Sequence, residues 1–203
     1  MNNITKLFFV CFFASLPLLS SAQWRIGIMG GGDYNMYTDD KHYLTDLHNE
    51  GDWGVTAGIV GMYDIKEWQW LHSKFGVRAE LNLIQKNFCT IRGYQNRAVI
   101  VIQNNYFQLP IMANYSFGSD VFRGFVNVGG FGGVINGNEW RRKLDIGGLG
   151  GVGTEWNFWH LTLQAEARFY ASALSVTKSD RSFKTPHYNT TISFQMALLY
   201  NIR

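Results

Sequence analysis

A chain of 203 residues that is 46% apolar and 16% aromatic is too hydrophobic for a disordered coil, and its 22 glycines keep no three-residue collagen period. Only 16% of the residues are charged, below the roughly 25% of ordinary soluble domains. The net charge of +3 is too balanced to argue for a nucleic-acid partner.

The first predicted element is a leader. Lys6 precedes an apolar stretch from Leu7 to Leu19, and Ser20, Ser21 and Ala22 place small side chains where a signal peptidase reads. Removal of residues 1–22 is expected, leaving residues 23–203 as one domain. The apolar stretch is shorter than the roughly 20 residues a helix needs to cross a bilayer, so a retained anchor is disfavoured. Cys89 is the only cysteine after the leader, which rules out an intramolecular disulfide.

Downstream, apolar and polar residues alternate with a period of two, the signature of strands with one greasy face. Runs of this kind cover residues 24–34, 53–63, 74–86, 106–117, 123–136, 144–156, 161–171 and 191–202. Each is about ten to fourteen residues, long enough to cross a hydrocarbon layer when tilted. Between them, connections 64–73, 118–122 and 157–160 form a shorter set, and 35–52, 90–105, 137–143 and 172–187 a mostly longer one. The expected fold is all-β: an eight-stranded antiparallel up-and-down transmembrane β-barrel. A soluble lipocalin-like barrel has the same strand number.

Two features favour the membrane. Aromatic residues gather where strands meet the short connections, namely Trp24, Tyr63, Trp68, Trp70, Phe75, Tyr115, Phe117, Phe122, Phe125, Trp156, Phe158, Trp159 and Tyr200. Such a belt suits a headgroup interface. The polar faces also carry opposite charges close together. Arg78 lies two residues from Glu80 and Glu166 two from Arg168, with Arg25, Lys86, Asp145 and Glu155 on the same faces. A lumen of eight strands is only wide enough to be filled by side chains, and charges buried there must pair. Arg78, Glu80, Glu166 and Arg168 are the candidate interior ion pairs.

Several motifs do not carry chemistry. Gly148, Gly150 and Gly153 spell a dinucleotide-binding pattern but lack the helix that must follow it; glycines here are expected to bend the sheet and make room for large luminal side chains. Pro110, inside a strand, predicts a bulge. His42, His48, His72, His160 and His187 lack metal-ligand spacing, and Asp180, Ser182 and His187 form no fixed hydrolytic trio. The acidic first loop with Asp39, Asp40, Asp46 and Glu50 lacks EF-hand spacing. The sequons at Asn114 and Asn189 fall in or beside strands. No catalytic residue, metal or cofactor is expected.

The segment from Tyr106 through Leu109-Pro110-Ile111 to Phe117 resembles the Tyr-x-x-Leu-Pro-Leu strand of the PorT-like outer-membrane β-barrels of Bacteroidetes, and the next strand, 124–137, is similar to theirs. It departs from them at Asn114, where a basic residue is usual, and at Gly129-Gly130, where Gly-Pro is usual. The resemblance implies a small barrel in the outer membrane of a Gram-negative bacterium, in a family associated with protein secretion and sometimes labelled as porins.

The leading expectation for function is a non-enzymatic barrel whose surface loops contact the envelope. Arg141, Arg142 and Lys143 crowd one loop and Lys178, Arg181 and Lys184 another, a set suited to lipopolysaccharide phosphates. The alternatives are an accessory subunit of a secretion or envelope assembly with a protein partner, a small-solute porin, and an outer-membrane lipid hydrolase. A porin is disfavoured by large charged groups in the lumen, and a hydrolase by the lack of a serine and histidine together near an interface.

Overall fold

The computed structural model describes residues 23–39, 47–68, 72–92, 98–136, 144–174 and 187–202. Their eight strands are β1 (Gln23–Asp39), β2 (Leu47–Trp68), β3 (Ser73–Arg92), β4 (Ala98–Gly118), β5 (Phe122–Asn136), β6 (Leu144–Phe158), β7 (Leu161–Ser172) and β8 (His187–Ile202). Each pairs antiparallel with its sequence neighbour, and β1 pairs with β8 from Trp24↔Ile202 to Asp39↔His187, closing the barrel. Closure satisfies the backbone within the wall, the condition for crossing hydrocarbon with strands. No helix among the described residues is long and apolar enough to cross a membrane.

Side-chain alternation fixes the two faces. On β7, Thr162, Gln164, Glu166, Arg168 and Tyr170 are buried, while Leu161 and Phe169 are exposed and Leu163, Ala165 and Ala167 half-exposed. The outer surface is a band of large apolar residues, with Ile28, Leu83 and Val128 between 62% and 67% exposed. A contiguous apolar patch of this extent marks contact with a nonaqueous partner. At the short-turn end Trp24, Phe75, Tyr115, Phe117, Phe122, Phe158 and Tyr200 face outward, and Trp24 packs on Tyr63 with ring centroids 4.7 Å apart. Phe125 does not join this belt: it is buried in the lumen. Trp70 lies outside the described residues.

The short connections are compact. β6 and β7 are joined by Trp159 and His160 alone, with Trp159 in the left-handed region at φ 54°. Such a conformation matches the twist of the strands in a two-residue hairpin turn. Between β4 and β5, the Ser119 N–H donates to the Phe122 carbonyl at 2.9 Å.

Two sequence expectations are corrected. The strands are longer at the loop end: β1 to β4 span 17, 22, 20 and 21 residues, so the intervals expected as loops 35–52 and 90–105 are largely strand. Residues 98–104 read Ala-Val-Ile-Val-Ile-Gln-Asn, rich in β-branched side chains but without alternation, so their strand propensity left no period to read. Nor does Pro110 sit at a bulge. Pairing of β3 with β4 is interrupted between Ala79↔Ile111 and Asn82↔Gln108 with no change of register, because the ring removes one donor and leaves the residue count unchanged. The register shifts lie instead between β2 and β3, at Gly51/Thr56 and Asp64/Lys66.

Candidate functional site: the charged lumen and the loop end

Three tiers of ion pairs fill the barrel. Nearest the short turns, Arg25 at the start of β1 donates to Asp64 at 2.8 Å and Glu155 at 3.0 Å, and Gln164 donates to Glu155 at 3.0 Å. Pairing one guanidinium with two carboxylates from β2 and β6 ties together strands that are not neighbours.

The middle tier joins β3 to β7, which stand four places apart in the ring of eight and so face each other across the lumen. Arg168 forks onto Glu80 at 2.7 and 2.8 Å and onto Glu166 at 2.9 and 2.7 Å. Arg78 donates to Glu80 at 2.6 Å and lies 3.2 Å from Glu166. Each arginine therefore touches both glutamates. Asn82 donates to Glu80 at 2.8 Å and Asn127 to Glu166 at 3.0 Å, while the Tyr170 hydroxyl accepts from Arg168 at 2.9 Å. All four charged groups are at most 6% exposed. In so dry a setting a carboxylate is held only by paired, hydrogen-bonded cations.

The third tier lies toward the long loops. Lys86 pairs with Asp145 at 3.2 Å, with its ammonium 4.7 Å from the centre of the Tyr106 ring. Thr56 donates to Asp33 in the same region. Both sequon asparagines are taken up inside the barrel: Asn114, nearer the short turns, is buried and donates to Asn127 at 2.7 Å, and Asn189, at the loop end, is buried and donates to the Tyr106 hydroxyl at 3.2 Å.

Glycines on β6 make this filling possible. A β-carbon at Gly151 would meet the Glu166 carboxylate at 2.3 Å, and one at Gly153 the Phe125 ring at 2.5 Å. The Gly148, Gly150 and Gly153 pattern thus lies along a continuous strand. Among the described residues no cluster of histidine, cysteine, aspartate or glutamate is arranged to hold a metal.

The six basic loop residues Arg141, Arg142, Lys143, Lys178, Arg181 and Lys184 lie outside the described residues, as do residues 1–22, Asp40, Asp46, Asp180 and Ser182. Their loops spring from the same end of the barrel, since they join β5 to β6 and β7 to β8. Sequence reading placed Arg78, Glu80, Glu166 and Arg168 on polar faces but missed their cross-lumen contacts and the roles of Asp64, Gln164 and Asn127. Their only sequence signal is a polar residue at a luminal parity.

A closed antiparallel wall, apolar outside and ionic within, defines an integral β-barrel of the outer membrane. Residues 13–198 match the family described as the outer membrane protein beta-barrel domain, and the chain belongs to that family. It is accordingly an outer-membrane protein of a Gram-negative bacterium. Among solved structures it is similar to the outer membrane protein OprG from Pseudomonas aeruginosa, with a TM-score of 0.57, 10% identity, and coverage of 90% of this chain and 95% of that one. Similarity also extends to Ail, the attachment invasion locus protein of Yersinia pestis, at 11% identity over 87% of this chain and 99% of Ail, with a TM-score of 0.43. Neisserial surface protein A gives 9% identity over 85% of this chain and 95% of its own, with a TM-score of 0.44. The likeness to OprG is one of fold. No curated protein gives a significant sequence match.

Proposed function

We propose that this protein is a non-catalytic surface barrel whose lumen is a sealed structural plug and whose long-loop end makes its contacts, with the phosphates of lipopolysaccharide as ligand. The observation that carries this reading is the two-pronged contact of Arg168 with Glu80 across the lumen, braced by Glu166 on Arg168's own strand. A lumen locked from wall to wall leaves the rim as the working part. Three cations in each of two loops suit bidentate and point-charge recognition of phosphate. A solute pore is the opposed reading, because metabolites would have to displace both arginines.

Two measurements test the proposal. The folded protein in a planar bilayer should pass no metabolite-sized solute, and steady conductance of such solutes contradicts the sealed lumen. Lipopolysaccharide affinity should fall at least tenfold when Arg141, Arg142, Lys143, Lys178, Arg181 and Lys184 are all changed to glutamate; unchanged affinity removes that ligand. The similarity of residues 106–117 to PorT-like barrels supports a second reading, an accessory subunit of a secretion or envelope assembly, for which crosslinking in intact membranes followed by identification of the captured protein is the test.

A further inference from the structure

A cleft opens on the outer wall of the barrel at the short-turn end. Phe158 pairs with Leu161 and Leu161 with Tyr200, so three outward side chains stand side by side across β6, β7 and β8. Trp159 and His160, the turn between β6 and β7, complete with them a hollow of about 650 Å³. Its walls are fixed. His160 stacks on Tyr200 with ring centroids 6.0 Å apart and planes 28° from parallel, and the Asn201 N–H donates to the His160 carbonyl at 2.8 Å, tying the turn to β8. The Trp159 ring, centred 6.5 Å from that of His160, is 94% exposed.

Tryptophan is a costly choice for this backbone. Its φ of 54° strains a bulky side chain, and in a two-residue hairpin such a place usually falls to glycine, asparagine or aspartate. Packing does not offset the strain, because a ring 94% exposed removes almost no apolar area from its surroundings within the protein. Membership of the aromatic belt accounts for a ring at this depth, but not for one set where the backbone resists it. Strain held without a packing gain is concentrated at binding sites. The compensation lies outside the wall.

Position and chemistry define the occupant. Phe158, Leu161 and Tyr200 belong to the exposed apolar face of their strands, so the cleft faces lipid, and short turns of such barrels lie on the periplasmic side, where the leaflet is phospholipid. The lining offers aromatic faces, which attract a cation, and donors in the Trp159 indole and the Tyr200 hydroxyl, but among the described residues it includes no lysine, arginine or carboxylate. An ammonium is met there by ring faces, whereas a headgroup of net negative charge meets no cation. We propose that this cleft binds one phospholipid of the periplasmic leaflet with a zwitterionic, ammonium-bearing headgroup, its ammonium over the Trp159 ring and the start of its chains against Phe158 and Leu161. The site is at the opposite end of the barrel from the long loops and does not depend on what those loops bind.

The test mixes the full-length barrel, folded in detergent micelles, with phosphatidylethanolamine or phosphatidylglycerol of identical chains and counts retained lipids by native mass spectrometry. One phosphatidylethanolamine should stay on each barrel, and phosphatidylglycerol should be held about tenfold more weakly. Glycine is at ease at positive φ, so Trp159→Gly should keep or raise the urea midpoint while phosphatidylethanolamine retention falls about tenfold. Tyr200→Leu removes a second ring with the turn untouched and should weaken retention in the same direction. Phe75→Leu, which takes an outward aromatic from the same belt on β3, should retain the lipid as wild type does. The proposal is overturned if the two lipids are retained alike, if Trp159→Gly and Tyr200→Leu hold phosphatidylethanolamine as wild type does, or if Phe75→Leu loses it equally, since each result reduces the cleft to general lipid contact. Failure of wild type to retain phosphatidylethanolamine overturns it as well.

Discussion

Arg168 is the side chain on which the middle of the barrel depends, because it alone forks onto both glutamates. Arg168→Met leaves two buried carboxylates sharing Arg78, a loss expected to cost about 3–5 kcal/mol, read as a drop in the urea midpoint of the detergent-folded protein. Removing Glu166 as well, with Glu166→Gln, keeps Arg78 and Glu80 as a neutral couple and should recover part of that loss; a double variant less stable than Arg168→Met contradicts the network. Glycines allow a second comparison. Gly151→Ala drives a methyl into the Glu166 carboxylate and should destabilise by about 1–3 kcal/mol, whereas Gly132→Ala meets nothing within 4 Å and should be close to neutral in the same assay. The two-residue spacing of Arg78 with Glu80 and of Glu166 with Arg168 was legible in the sequence. The contact of Arg168 with Glu80, 88 positions apart, was not, because it exists only once β3 and β7 face each other in a closed ring.

Among the elements, β3 and β7 were the most legible, since apolar and polar residues alternate along most of each, and one face is buried from Gly76 to Lys86 and from Thr162 to Tyr170. The upper part of β4 was not: an uninterrupted β-branched run has strand propensity but no period. Phe125 shows a related limit, for an aromatic near a strand end reads as belt until parity assigns it to the lumen beside Gly153. The lipid-facing parity makes a depth-dependent prediction on single strands. Val128, in the middle of β5 and 67% exposed to the outside, should cost about 2–4 kcal/mol as Val128→Arg, while Trp24→Arg at the headgroup end of β1 should cost about 0–1 kcal/mol from the charge itself. Unfolding in phospholipid vesicles measures both, and equal costs at the two depths would count against the assignment of the band.

At the scale of the whole molecule, closure and sealing give a barrel that resists unfolding as a unit. Unboiled and boiled samples should migrate differently on a detergent gel, since every strand is held by two neighbours and three tiers of ion pairs cross between them. Strand number, closure and compartment were legible because membrane strands must alternate and end in long and short turns by turns. Loop chemistry is carried by residue types alone. The inversion of the fold, apolar side chains toward lipid and charges inside, is tested most directly by nitroxide labels at Leu161, Ala165 and Phe169 of β7, placed one at a time in a Cys89→Ser background and reconstituted in bilayers. All three labels should be relaxed by dissolved oxygen and shielded from a water-soluble nickel chelate, most strongly at Ala165 in the middle of the strand; relaxation by the nickel chelate at all three positions would contradict the account.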